Sequence, residues 1–298
     1  MDLAMKSAGS SASVTDAAVG RDTTDPLPAD TVGRGAASSA SSALDRFSFF
    51  VTSYAAMQRL SGSVDGFGGD LRYGESDGLS GADKICREIA ETAMPGAGQK
   101  GWRAFLSVTS GPDGSPVHAI DRVGDGPWYD RLGRLVAMTK ADLMTPRPTG
   151  ADPAIVNDLP NEDGVPNMRP DGTEVDNHDT LTGANETGQL YSSDWAYTCR
   201  DWTSSVGGDG TPQCGHSWPR NFSDFFGSAG SDAVPPEGGS DAPLFPGFGD
   251  PANWMSALTE AGCAPGATIV ELGPPNPFNP TVGSGGGYGG IYCFALTP

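Results

Sequence analysis

Basic side chains are scarce in this 298-residue chain: 18 Lys+Arg stand against 37 Asp+Glu, a formal net charge of -19. Binding to phosphate backbones or anionic lipid depends on neutralising negative charge with Lys and Arg, so nucleic acid is excluded as a partner. Long apolar runs are missing too. No stretch approaches the roughly 18 residues that mark a membrane span. Only 37% of residues are hydrophobic, which leaves a thin core. The chain has three histidines and five cysteines, with no C-x-x-C pair among them. That spacing argues against a zinc ribbon or a thioredoxin-type motif. No G-x-S-x-G, H-E-x-x-H or phosphate-cradling glycine loop is present, so no residue can be assigned to catalysis and the chain reads as a non-enzyme.

What the chain has in excess is turn chemistry, with 43 glycines and 25 prolines. Residues 1–45 are built from Ser, Ala, Asp, Thr and Gly with almost no bulky apolar side chain. Such a segment cannot offset its ordering entropy by burial, and it reads as a disordered tether. It lacks the continuous apolar stretch of a secretory signal. Residues 46–298 form the folded domain.

Within that domain, "RFSFFVTSY" is aromatic and β-branched, as a first strand should be. "GFGGDLRYGESDG" reads as a surface loop. In "GLSGADKICREIAETAMPGAG", Ile85, Ile89 and Ala93 recur at helical spacing beside a stripe of Ala82, Cys86 and Ala90, which predicts a helix stopped near Pro95 and Gly96. "GWRAFLSV" alternates as a strand does, "GPWYDRLGRLVA" is a further strand candidate, and "GGIYCFAL" is a closing strand preceded by a turn at "GGGYGG". From Thr145 to Gln189 the chain is acidic and turn-rich and reads as loop, as do the Pro/Gly stretches beyond it. Five cysteines in an acidic, loop-rich, core-poor chain favour disulfides over buried free thiols.

The ordered series "GADKICREIA", "GWRAFLSV", "HDTLTGANETGQLYSSDWAYTCRDWTS", "GHSWPR" and "GGGYGGIYCFA" resembles the endostatin-like branch of the C-type lectin-like fold, over roughly Tyr73 to Leu296. The resemblance implies an α+β domain with a small mixed or antiparallel sheet, one or two short helices and long irregular loops. It implies that the two ends of the domain meet in one sheet, with nested disulfides joining Cys86 to Cys293 and Cys199 to Cys263. Cys214 is then unpaired, or competes with Cys263 for Cys199. Heparin binding, associated with basic members of that branch, does not carry over to so acidic a chain. The triplets of calcium-dependent sugar-binding lectins are replaced here by "VPN" at Val165 to Asn167 and by "RDW".

Two candidate sites follow. Asp171, Glu174, Asp176 and Asp179, with Glu162 and Asp163 upstream, supply the hard oxygen ligands that calcium prefers, and calcium is the cofactor they would take. A merely solvated acidic loop is the alternative. Tyr191 and Trp195, beside Asn185 and Glu186, form the candidate ligand surface, while Trp202 and Trp218 read as packing around a disulfide. His118, His178 and His216 read as scattered surface histidines, although Asp176, Asn177 and Asp179 around His178 would also make a zinc or calcium neighbourhood. The functional expectation is an extracellular or cell-surface binding or adhesion module for a glycan or a protein. Its alternatives are a self-associating structural subunit and, third, a hydrolase.

Overall fold

The computed structural model describes residues 43–166, 178–218, 250, 252–269 and 275–297. Most of the tether expected over residues 1–45 therefore lies outside the described residues. Among the described residues the architecture is mixed α+β: a six-stranded sheet, a two-stranded hairpin and few helices.

Strand β1 (Phe49–Val51) leads directly into helix α1 (Tyr54–Ser61), and helix α2 (Gly78–Ala93) leads through a short 3-10 turn to β2 (Trp102–Ala104). The hairpin is β3 (Trp128–Tyr129) and β4 (Leu135–Ala137). Strands β5 (Asp179–Leu181), β6 (Gln213–His216), β7 (Leu258–Thr259) and β8 (Gly287–Ala295) complete the set. The order in the large sheet is β1-β8-β5-β6-β7, with β2 also on β8. The last strand is thus central: β1 pairs antiparallel along one edge, while β2 and the parallel β5 follow one another along the other.

Period-2 alternation on β8 divides the core. Ile291, Cys293 and Ala295 face α2 together with Phe50, Trp102 and Ala104, whereas Tyr292 and Phe294 face a second cluster with Phe49, Phe105, Trp128 and Trp254. In that second layer the rings interlock, with Phe49 to Phe294 centroids 4.9 Å apart and Trp254 to Tyr292 5.1 Å apart at 82°. Aromatics supply here the volume that a chain poor in aliphatics cannot. Three of the buried indoles are hydrogen-bonded: the Nε1 groups of Trp102, Trp202 and Trp254 donate to the carbonyls of Ala97, Ser107 and Leu143.

Helix α2 starts where Asp77 accepts from the Ser80 backbone N–H at 2.8 Å and stops before Pro95. Its buried stripe is Ala82, Ile85, Cys86, Ile89 and Ala90. At Gly81 any side chain would collide with the carbonyls of Leu71 and Arg72, so the helix lies directly on backbone there. Cys86 on this stripe is bonded to Cys293 on the facing side of β8, Cα atoms 5.6 Å apart, and Cys199 is bonded to Cys263. The first bridge spans 207 residues. Closing such a loop removes about 5 kcal/mol of unfolded-state entropy on the chain-entropy model.

Several expectations change. "GPWYDRLGRLVA" is a hairpin and not one strand, because Asp130 turns the chain by accepting from the backbone of Leu132 and Arg134 and from the Arg134 side chain. The "GGGYGG" segment is a turn only at Gly285 and Gly286: β8 already begins at Gly287 and passes through Gly289 at φ +71°. Part of the stretch from Thr145 to Gln189 is the buried strand β5, paired in mid-sheet. Helix α1 was not expected; Ser53 caps it, accepting from Ala56 N–H.

Glu162, an expected calcium ligand, instead accepts from the Ser53 N–H at 2.9 Å and the Ser53 hydroxyl at 2.6 Å. Burial pushes its carboxyl above the ordinary value of 4.5, partly offset by these bonds. A raised native value means that the folded chain holds more protons than the unfolded one between 4.5 and that value, so stability rises as pH falls through the window. Calorimetric melting temperature should therefore increase from pH 7 toward the acid side of that window, and Glu162→Gln should flatten the increase; an unchanged slope in the variant would contradict this assignment.

Candidate functional site

The most unusual backbone among the described residues is at Cys199–Trp202, where four successive non-glycine residues hold positive φ, from 48° at Cys199 to 61° at Trp202. Left-handed geometry costs an L-residue roughly 1–2 kcal/mol each. The turn is held in place by its surroundings. Cys199 is tied to Cys263, Trp202 is buried, and Asp201 accepts from Thr109 N–H at 2.6 Å, Thr109 Oγ1 at 2.8 Å and Thr198 Oγ1 at 3.0 Å. Strain maintained this way is characteristic of ligand-holding segments.

Two surfaces flank this turn. On one side, Leu71 N–H donates to Trp202 O and Asp70 bridges Thr203, which fixes the wall of an open groove of about 480 Å³. Phe67, Asp70, Arg72, Tyr73, Glu75 and Ser205 are among its lining residues. The Phe67 and Tyr73 rings meet edge to face at 5.5 Å. Tyr73 is held from behind by α2, donating to Glu88 at 2.8 Å with Lys84 Nζ 4.9 Å from its ring. The Glu88 bond, with some burial, raises the Tyr73 hydroxyl above its ordinary value. Arg72 grips Asp70 through Nε at 2.9 Å and Nη2 at 2.5 Å. Partial burial works against the Asp70 carboxylate, but these bonds outweigh it and hold its pKa below 3.8.

On the other side of the turn, Arg200 stacks over Trp195 at 4.1 Å and pairs with Asp209 at 2.9 Å. Trp195 and Tyr191 are each 42% exposed, and Tyr191 meets Tyr197 edge to face at 4.9 Å. Of the other residues expected on this surface, Glu186 is exposed and lies close enough to raise the Tyr191 hydroxyl, behind burial and Tyr197 as causes. Asn185 is used differently: its Oδ1 accepts from Thr187 N–H, Thr187 Oγ1 and Gln189 N–H, closing its own loop. Trp202 and Trp218 are buried.

Of the expected calcium ligands, Asp171, Glu174 and Asp176 lie outside the described residues. Asp179 is 2% exposed in mid-sheet, so it does not belong to a solvated loop surface. Its Oδ1 faces His216 Nε2 at 3.0 Å and His178 Nε2 at 3.4 Å. The histidines expected at the surface are buried, because antiparallel pairing sets Asp179 opposite His216 and His178 packs 4.8 Å from the Trp218 ring. His118 serves the fold, its Nδ1 accepting from Leu190 N–H. Glu260 packs behind Asp179; burial first, and then the neighbouring Asp179 charge, push its carboxyl well above the carboxylate range. Cys214 is a buried free thiol, raised by burial and by Glu260 and Asp179. Arg147 completes the surroundings, donating to the carbonyls of His216 at 2.7 Å and Ser217 at 2.6 Å.

Sequence reading missed the groove because Phe67 to Glu75 has the composition of a plain loop. It missed the buried cluster because the pairing of β5 with β6 is invisible in a single chain. The one available signal was the "HD" dipeptide with another histidine, His216, far along the chain.

Asp201→Asn should lower stability by about 2 kcal/mol, since an amide cannot accept all the bonds of the carboxylate and part of the strain in the turn goes uncompensated. Urea unfolding checks this; a variant as stable as the parent would show that the turn is held by the disulfide alone.

No family model matches the chain, and no curated protein matches it.

Proposed function

We propose that the protein is an extracellular binding module of endostatin-like, C-type lectin-like architecture, and that the groove beside the left-handed turn receives a neutral glycan. The observation carrying this reading is the strained four-residue turn, because it fixes a preorganised groove wall on one side and an exposed indole on the other. Preorganisation reduces the entropy lost on binding.

The groove chemistry suits a polyol. An apolar sugar face packs on the Phe67–Tyr73 pair, and the planar Arg72–Asp70 pair offers donors and acceptors together to neighbouring hydroxyls. With Asp70 and Glu75 alongside Arg72, the lining favours a neutral ligand over an anion. Trp195, Tyr191 and Glu186 extend the contact surface across the turn. What favours binding over chemistry is the depth of the titratable cluster, whose histidines and carboxylates are at most 2% exposed. The extracellular placement is supported by two disulfides, which persist in oxidising compartments. Among the described residues no helix is long and apolar enough to cross a membrane.

An array of neutral glycans followed by titration calorimetry tests the reading. Tyr73→Ala and Arg72→Ala should each weaken the selected glycan at least about tenfold, equivalent to about 1.4 kcal/mol. Trp195→Ala should weaken it less. An array without hits, or a hit that Tyr73→Ala leaves unchanged, removes the groove from the account.

A further inference from the structure

We propose that His178, Asp179 and His216 form a buried site for a divalent transition metal, zinc by preference, which pins β5 to β6 in the middle of the sheet. One potential ligand atom from each of the three lies within 4.8 Å of the others, the one such group found among the described residues.

The separations fit coordination. Zinc takes nitrogen ligands at about 2.0–2.1 Å and carboxylate oxygen at about 2.0–2.2 Å, and the edge of a tetrahedron with such bonds is about 3.3 Å. The distances from Asp179 Oδ1 to His216 Nε2 and His178 Nε2 are 3.0 and 3.4 Å. Both imidazoles therefore direct the same nitrogen at one carboxylate oxygen, at the spacing of neighbouring ligands around one ion.

Donor type selects the metal class. Two imidazoles and one carboxylate suit zinc and its neighbours, whereas calcium requires six to eight oxygens. The site is thus distinct in chemistry from an acidic-loop calcium site, although it contains Asp179.

The surroundings hold the ligands as outer-shell groups do around a bound metal. Behind Asp179, Glu260 Oε2 accepts from Gly285 N–H at 2.8 Å. A Cβ at Gly285 would lie 2.9 Å from Asp179 Oδ2, so that oxygen faces Gly285 while Oδ1 faces the rings. Arg147 fixes the backbone carbonyl of His216 itself, and Ser217 N–H donates to the carbonyl of His178 at 2.8 Å. Partners of this kind orient first ligands, and losing one typically costs 10–100-fold in metal affinity. Burial suits a structural role: His178 is fully buried and His216 and Asp179 are each 2% exposed, and a water would fill the fourth position that three protein ligands leave open.

The test uses the full-length, disulfide-intact chain, stripped with chelator and titrated with cobalt(II) and then zinc(II). Expected are one cobalt per chain with visible d–d bands of a four- or five-coordinate site, displacement by an equal amount of zinc, no displacement by excess calcium, and a zinc-dependent rise in melting temperature. His216→Gln and Asp179→Asn should each abolish the bands, with folding checked by near-UV circular dichroism, and Glu260→Gln should weaken cobalt about 10–100-fold. The wild-type titration decides even where a variant fails to fold. Absence of cobalt bands together with a zinc-independent melting temperature, bands retained in folded His216→Gln, or displacement by calcium would each overturn the site. The groove reading stands or falls separately, since no groove residue is involved.

Discussion

The fold depends on placing its last strand in the middle. Strand β8 is buried along its whole length, from Gly287 to Ala295, and it is the only described strand that touches β1, β2 and β5. Each pairing joins segments far apart in sequence, so the ordering cost of a long glycine-rich chain falls due before any of these contacts forms. The Cys86–Cys293 bond reduces that cost by closing the loop already in the unfolded state. It also explains a thiol in the apolar run "YGGIYCFALTP": alternation along β8 turns Cys293 to the face where α2 presents Cys86.

With so few aliphatic residues available, what remains of stability comes from two devices. Stacked aromatics fill the layer behind Tyr292 and Phe294, and polar side chains replace regular secondary structure as fasteners of the long segments. Lys100 is an example, its ammonium donating to the carbonyls of Leu44, Asp45 and Phe47 at 2.7 to 2.9 Å, although burial lowers its pKa to about 8. Glu162 on Ser53, Asp201 on Thr109 and Arg147 on His216 work in the same way at their own crossings. Each fixes a loop at one point, which is how a chain short of helices still presents rigid surfaces. The left-handed turn at Cys199–Trp202 is the extreme case, and it lies between the groove and the exposed Trp195.

Elements with strong periodicity were legible in the sequence: the apolar stripe of α2, the alternation of β2 and the aromatic run of β1 and β8 all announce their faces. Strands β5 and β6 were not. "DTL" and "QCGH" carry polar residues that ordinarily mark loops, yet each residue is buried because the sheet surrounds it on both sides. Gly215 shows why composition misleads there, since a side chain at that position would collide with the Trp254 carbonyl; the glycine marks close packing and not a turn. Tyr191 and Trp195 were legible as surface aromatics from the polar turns before them. The His178–Asp179–His216 group needed the register of β5 against β6, and the groove needed the return of Leu71 beside Trp202. Neither long-range contact leaves a local trace.

The most direct test of the central claim is non-reducing peptide mapping of the purified chain. The account predicts peptides linking Cys86 to Cys293 and Cys199 to Cys263, with Cys214 alkylated only after unfolding. A linkage of Cys214 to Cys199 or Cys263, or free thiols at Cys86 and Cys293, would contradict a domain organised around its last strand.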